Sequence, residues 1–337
     1  LSVRHAGLIG WGTFVPATVM SARELAEKAD LPVEVVEQKL GVKQKPVPGP
    51  DDHCSTMAYK AAQKAIQKAG ISPEDIDLVI WTGDEYKDYP LWTAGIKLKE
   101  DLGARRAWAF DLALRCGTTI LALRVARDMI LADSDIKNVL VAGGYRNGDL
   151  IDYENPRVRF MYNLGAGASA AVLQQDAGIN QILGSAFIDD GTLTTSVAVP
   201  AGGTREPLTP EGVEKKRHFL EVMEPEWMKE RLEQVSMDNF LNAIDLALER
   251  SSLTCRDIDY LALLHMKRSA HDYILQTLGL KQEQSVYLEE YGHIGQHDQI
   301  ISLELGLERG AIKRGSTVVM VSAGVGYAWN AQVLNWG

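Results

Sequence analysis

WAFDLALRCGTTILALRVARDMILA, Trp108–Ala132, changes character at Arg115-Cys116. Its first part, Trp108–Leu114, is a continuous apolar run, the pattern of a strand buried on both faces. Its second part, Gly117–Ala132, carries only a narrow polar stripe of Arg124, Arg127 and Asp128. A helix apolar almost all round is a buried one, so this helix is expected at the centre of the fold. Cys116 then stands at a strand-to-helix corner, on a helix N-terminus. The unpaired N–H groups and the dipole there favour negative charge, and so thiolate over thiol. The alternative at this point is a structural cysteine that packs as a small hydrophobe.

Outward from that corner the chain shows a faint internal repeat. AIQKAGISPEDIDLVIWTG and ALERSSLTCRDIDYLALLH both run helix end, short turn, acidic-Ile-acidic, buried strand, so Asp75-Ile76-Asp77 matches Asp257-Ile258-Asp259. Asn138–Gly144 (NVLVAGG) and Val318–Gly326 (VVMVSAGVG) repeat the idea at nearly the same offset. A duplicated α/β unit follows as the organising expectation, with halves at residues 1–175 and 176–337. Ser21-Ala22-Arg23-Glu24 opens a short helix with a capping box. Thr56–Ala69 is helical, with Ala58, Ala61, Ala62, Ala65 and Ile66 on one side and Gly70 as its stop. Ile76–Thr82 and Ile258–Leu264 read as strands and Gly295–Leu307 as a helix. The tail alternates, with Tyr327, Trp329, Ala331 and Val333 on one face. Pro200–Glu226, rich in Pro, Gly and charge, reads as an inserted loop with a capping helical segment.

Bulk properties narrow the class. The 337 residues are comfortable for two packed halves, and 46% hydrophobic with 24% charged residues is ordinary for a globular protein. No apolar run is long enough for a membrane span, and the opening LSVRHAGLIGWG has no secretory pattern and reads into a strand. A net charge of −10 argues against nucleic acid as the main partner. Three scattered cysteines, Cys54, Cys116 and Cys255, imply no disulfide framework and fit a reducing cytosol.

Superposing the two units brings YGHIGQHD, just before a helix, to the place of the Cys116 corner, and puts His265 at the end of the strand DYLALLH. Ligands of open α/β sheets bind at the carboxyl ends of strands. Cys116, His265 and His293 are therefore expected to converge as a thiol with two imidazoles, the constellation of an activated nucleophile. Each histidine alone reads more readily as a satisfied core or surface histidine. The set also has the ligand types of a metal site, but without compact ligand spacing, and no metal or cofactor is expected.

GWGTFVP near the start, FDLALRCGTT, NLGAGASAAVL, the LLH strand end, the YGHIG turn and SAGVGYAWNAQVL at the C-terminus together resemble the thiolase superfamily of condensing enzymes, in particular 3-oxoacyl-(acyl-carrier-protein) synthase III. The resemblance spans essentially the whole chain. It implies an α/β thiolase-like fold, two pseudo-repeated halves in five αβαβα layers, a homodimer, and acyl-coenzyme A or acyl carrier protein as substrate and partner. It implies that Cys116 takes the acyl group, that His265 helps decarboxylate a malonyl-type thioester or positions the acceptor, and that the backbone N–H groups of Cys116 and Val325, within Gly324-Val325-Gly326, form the oxyanion hole.

The chain also departs from that pattern. His293 falls where synthase III has an asparagine, giving a Cys-His-His set like that of the elongating synthases I and II. HMKR stands for the family's HQAN, and Val35 for the tryptophan that stacks on adenine. Lys39, Lys267 and Arg268 are candidates for phosphate contact or carrier-protein docking, and equally for solvated surface charge. Glu85, in the acidic loop GDEYKDYP, aligns near the general acid/base glutamate of the related hydroxymethylglutaryl-coenzyme A synthases. It is a candidate base for an aldol-type condensation, or a loop charge. Leu91 and Trp92 lie where family members place dimer-loop residues. Acyl transfer to an oxygen or nitrogen nucleophile, and a non-catalytic partner subunit, remain the other readings.

Overall fold

The computed structural model describes residues 4–337; the first three residues of the opening stretch lie outside them. Nine strands form the main sheet: β1 (Ala6–Phe14), β2 (Leu78–Thr82), β3 (Trp108–Leu112), β4 (Asn138–Tyr145), β5 (Gly167–Gln175), β6 (Gln181–Asp189), β7 (Tyr260–Leu263), β8 (Thr317–Gly324) and β9 (Ala328–Asn335). Their order is β7-β8-β9-β6-β1-β5-β4-β2-β3. Among the described residues, the only registered pair joining β1 to β6 is Gly7 with Gln181, so the sheet is two sheets meeting at a seam.

Each half repeats one topology. β2 runs parallel to β4 as β7 runs parallel to β8, and β4 runs antiparallel to β5 as β8 does to β9. The sequence echo has a hydrogen-bond basis. Ser72 with Asp75, and Thr254 with Asp257, form matching capping boxes ahead of β2 and β7. Asp77 Oδ2 accepts from the Lys137 and Asn138 N–H groups, and Asp259 Oδ2 accepts from that of Thr317, so each acidic-Ile-acidic turn ties the start of one parallel strand to the next.

The apolar stripes stack into five layers. Helices Cys54–Ala69 and Ala94–Leu102 cover one outer face, with the alanine side of the first wholly buried. Helices Thr118–Ala132 and Asp298–Glu308 fill the space between the sheets through Ile120, Leu123, Ile300 and Leu303. Helices Pro225–Glu249 and Arg268–Leu278 cover the other outer face, against Trp329, Ala331 and Val333 of β9. The central position expected for the helix after Cys116 is thus observed. This is the α/β thiolase-like architecture.

Two expectations need correction. β3 is not buried on both faces: it is the edge strand, and Trp108 is half exposed. Its apolar run has one free flank, which composition cannot distinguish from a central strand. The second half also lacks a regular counterpart of β3; the corresponding segment, residues 285–288, is tied to β7 by Ser285 Oγ donating to the Leu261 carbonyl (2.7 Å) without forming a strand.

Candidate active site

The corner bearing Cys116 is a single 3-10 turn, Arg115–Gly117, ahead of the helix Thr118–Ala132. Thr118 Oγ1 pins it from below, accepting the Leu114 N–H (2.7 Å) and donating to the Arg115 carbonyl (2.6 Å). Ser322 Oγ of β8 donates to the Cys116 carbonyl (2.6 Å), so the second half holds the nucleophile of the first. Gly324 completes the contact: a Cβ there would stand 2.9 Å from the Cys116 nitrogen, so only glycine lets the turn approach this closely. Early N–H groups of a helical turn lack intrahelical partners, which leaves the Cys116 amide available to a ligand.

His293 Nε2 lies 3.1 Å from Cys116 Sγ, and His293 Nδ1 lies 2.6 Å from Asp298 Oδ2. Asp298 is fully buried at the start of its helix. Its carboxylate also accepts the His265 and Ile294 backbone N–H groups, both at 2.8 Å. A carboxylate accepts, so Nδ1 carries the proton and Nε2 faces the sulfur. Burial pulls the His293 pKa down, but the Asp298 charge, the Cys116 sulfur and the hydrogen bonds to both outweigh it and raise it well above the ordinary value. The geometry is that of a nucleophile, a base and an orienting carboxylate.

His265 lies in the same cavity but does not bond the sulfur. Its Nε2 is 3.0 Å from the Gly41 carbonyl and its Nδ1 3.0 Å from Asn163 Nδ2. The carbonyl accepts, so Nε2 is the donor and Nδ1 the acceptor. The expected meeting of two imidazoles at the sulfur is therefore met by one. Burial lowers the His265 pKa to about 4, against the Gly41 hydrogen bond and the Asp298 charge, so the ring is neutral at physiological pH.

A cavity of about 670 Å³ opens above Cys116. Its wall includes Cys116, His265, His293, Glu85, Val325, Lys39 and Lys267, so seven sequence-predicted residues share one space. Leu220, Leu232, Met237, Phe240 and Trp329 make its apolar side, drawn from the inserted segment, the long helix Pro225–Glu249 and β9. Gly324 and Gly326 flank Val325. Arg268 belongs elsewhere: its Nε bonds Asp272 (3.1 Å) and its guanidinium lies 4.6 Å from the centroid of the Tyr287 ring. The i, i+4 spacing of Arg268 and Asp272 captures that side chain for its own helix. Glu85 sits exposed at the mouth.

Sequence reasoning missed Asp298, Asn163, Asp84 and Lys45. Asp298, five residues after His293 and heading a helix, carried a legible signal. Asp84 did not: it is the neighbour of Glu85, yet its side chain is 8% exposed, Oδ2 accepts from Asn147 Nδ2 (2.7 Å) and Arg115 stands 3.7 Å from Oδ1. Burial raises its pKa, against the Arg115 charge and the Asn147 hydrogen bond. His297 and His271 are buried structural side chains, the first on Ser169 and the second edge-on to Tyr287.

A cysteine paired with an Asp-held histidine at the junction of two duplicated sheets defines an acyl-transferring condensing enzyme of the thiolase type. The model of 3-oxoacyl-[acyl-carrier-protein (ACP)] synthase III matches residues 110–191 and that of its C-terminal part matches residues 248–336. The beta-ketoacyl-[acyl-carrier-protein] synthase III of Symbiobacterium thermophilum is 30% identical over 338 residues, covering 100% of both chains. The chain belongs to the 3-oxoacyl-[acyl-carrier-protein] synthase III family. In fold it matches the synthase III of Aquifex aeolicus VF5 (TM-score 0.84, 22% identity, 98% of this chain and 100% of that one) and the priming beta-ketosynthase of the R1128 polyketide pathway (TM-score 0.85, 24% identity, 99% and 96%).

Proposed function

We propose that the protein takes an acyl group from a coenzyme A or carrier-protein thioester onto Cys116 and condenses it with a malonyl thioester, releasing carbon dioxide. The observation that carries this reading is the 3.1 Å contact between Cys116 Sγ and His293 Nε2 on the floor of the cavity. The sulfur attacks the thioester carbonyl; the Cys116 and Val325 amides take the charge developing on its oxygen; the imidazolium of His293 gives its proton to the leaving thiolate. A malonyl thioester then loses carbon dioxide, and its carbanion attacks the acyl carbon and expels the Cys116 thiolate, after which His293 takes up a proton from water to restore the resting pair. His265 would stabilise the enolate oxygen, with its Nε2–H exchanging the Gly41 carbonyl for that oxygen. Lys39 and Lys267 at the cavity wall suit the phosphate of a pantetheine arm. No separate cofactor enters this scheme.

The two halves would divide at the turn between β5 and β7's half, near residue 175, and act as one unit because the site takes residues from both. The free edge of β3, with exposed Trp108, and the exposed Leu91 support a homodimer. Among the described residues no helix is long and apolar enough to cross a membrane, and three unpaired cysteines suit a cytosolic location. The deciding experiment offers an acyl-coenzyme A with a carboxyl-labelled malonyl thioester. Labelled carbon dioxide and a 3-oxoacyl product support condensation; acylation without carbon dioxide release counts against it.

One observation favours a second reading. In its resting geometry the His265 donor is engaged with Gly41, whereas His293 with Asp298 is ready to act as a base once the acyl-enzyme has formed. Transfer of the acyl group to a hydroxyl or amine needs only that base. Acyl esters or amides formed from added alcohols or amines, without carbon dioxide release, would mark it.

A further inference from the structure

Lys45 is 1% exposed and, among the described residues, has no carboxylate hydrogen-bond partner. Its ammonium carries three donors, and each meets an oxygen: the Tyr162 carbonyl at 2.6 Å, the Leu164 carbonyl at 2.8 Å and the Tyr153 hydroxyl at 2.8 Å. The Tyr153 ring centroid lies 5.0 Å from the nitrogen. Lysine is almost never buried without a counter-charge, because its desolvation is unfavourable by several kcal/mol (roughly, after relaxation). Burial, with a smaller contribution from Lys28, lowers its pKa to about 7. A methionine would fill the same space without that penalty, so the amine invites an explanation in what it holds.

It holds the peptide on which both histidines hang. The Tyr162 and Leu164 carbonyls flank Asn163. The Asn163 carbonyl accepts the His293 N–H (2.9 Å), and Asn163 Nδ2 donates to His265 Nδ1 (3.0 Å). Leu164 pairs with His293 as an isolated bridge, and the Gly165 N–H bonds the His293 carbonyl (2.9 Å). Gly292, at φ +60°, leads into His293 with the Asn163 carbonyl against it; a Cβ there would stand 3.3 Å from Lys45 Cβ. One side chain, from the short strand Gln44–Pro46, thus reaches under the segment that sets both rings.

We propose that Lys45 is a positioning residue: by gripping the Tyr162 and Leu164 carbonyls it fixes Asn163, and through Asn163 it sets His293 Nε2 against Cys116 Sγ. The inference rests on the reading of Cys116 and His293 as nucleophile and base, and not on which acyl reaction follows. Without the amine, two buried carbonyls lose their donor, an unfavourable state that the segment relieves by moving. A displacement of about 1 Å at a reacting contact is enough to lower a rate on the order of 10²-fold.

The test is the rate of iodoacetamide alkylation of Cys116 against pH, read by peptide mass in the full-length protein, for wild type, Lys45→Met, Lys45→Gln and His293→Ala, alongside thermal melting. Because no thioester is involved, the outcome is separate from the functional reading: a wild-type Cys116 that alkylates rapidly at pH 6 yet takes no acyl group would sink the function and leave the positioning test intact. Lys45→Met should fold and should lose about tenfold or more of the rate at pH 6, approaching the His293→Ala floor. Lys45→Gln, with two amide donors for two carbonyls, should recover most of it. A Lys45→Met profile equal to wild type overturns the proposal. So does a folded Lys45→Gln that alkylates at the His293→Ala floor, and this second arm decides the matter if Lys45→Met fails to fold.

Discussion

His293 Nε2 stands 3.1 Å from Cys116 Sγ although 177 residues of chain separate them. The contact exists because the turn after β3 and the turn after residues 285–288 take matching places in the two duplicated halves, and because Ser322 and Gly324 press the second half onto the backbone of the nucleophile. The buried Asp298 carboxylate then fixes which nitrogen of His293 carries a proton. Asp298→Asn removes the charge that holds the imidazole protonated and lets the ring turn. Acylation by an acyl-coenzyme A should fall on the order of 10⁴-fold, the scale of losing the orienting acid in a serine-protease triad. Rapid-quench acylation rates test this; a loss under threefold would mean that Asp298 only ties the His265 and Ile294 backbone in place.

Gly324→Ala places a methyl group 2.9 Å from the Cys116 amide nitrogen. The fold should survive and the oxyanion donor should be blocked, with kcat falling about 10²–10³-fold while iodoacetamide still reaches Cys116. Equal losses in both assays would point to a disrupted turn instead.

Lys45 supplies a pH signature. Its folded pKa, about 7, lies below its ordinary 10.5, so between those values the unfolded chain binds more protons. Stability therefore rises with pH across that window. In urea unfolding the wild type should gain on Lys45→Met as pH goes from 7 to 10, because the variant lacks the titrating group. A pH-independent difference contradicts the burial of a titrating amine.

His265, with a pKa lowered to about 4, stays neutral from pH 5 to 8. His265→Gln should therefore leave the shape of the pH–rate profile between pH 5 and 8 unchanged while lowering carbon dioxide release from a malonyl thioester by about 10²-fold or more. Disappearance of a limb near neutrality would show that His265, rather than His293, carries the titrating proton.

Much of this was legible in the sequence, for reasons particular residues make plain. The echo of Asp75-Ile76-Asp77 in Asp257-Ile258-Asp259 reveals the duplication, because a turn that must tie two parallel strands needs an acid at a fixed position, here Asp77 and Asp259. The strand-to-helix corner and the LLH strand end brought Cys116 and the two histidines into one cavity. The turn of His265 toward Gly41 was not legible, because the loop that supplies that carbonyl lies 224 residues away. Nor was the grip of Lys45 on Tyr162 and Leu164, since its partners are backbone atoms, which leave no mark on residue type. Asp84 and Glu85 are chemically alike and adjacent, and only packing buries one and exposes the other. Arg268 read equally as a phosphate or docking contact and as a solvated charge; the structure pairs it with Asp272 and sets its guanidinium over the Tyr287 ring.

The most direct measurement is intact-protein mass spectrometry after incubation with acyl-coenzyme A donors of graded length, followed by peptide mapping. One acyl group per chain should appear, on Cys116, absent from Cys116→Ala and slow to form in His293→Ala. An adduct that persists in Cys116→Ala, or none with any donor, would contradict this.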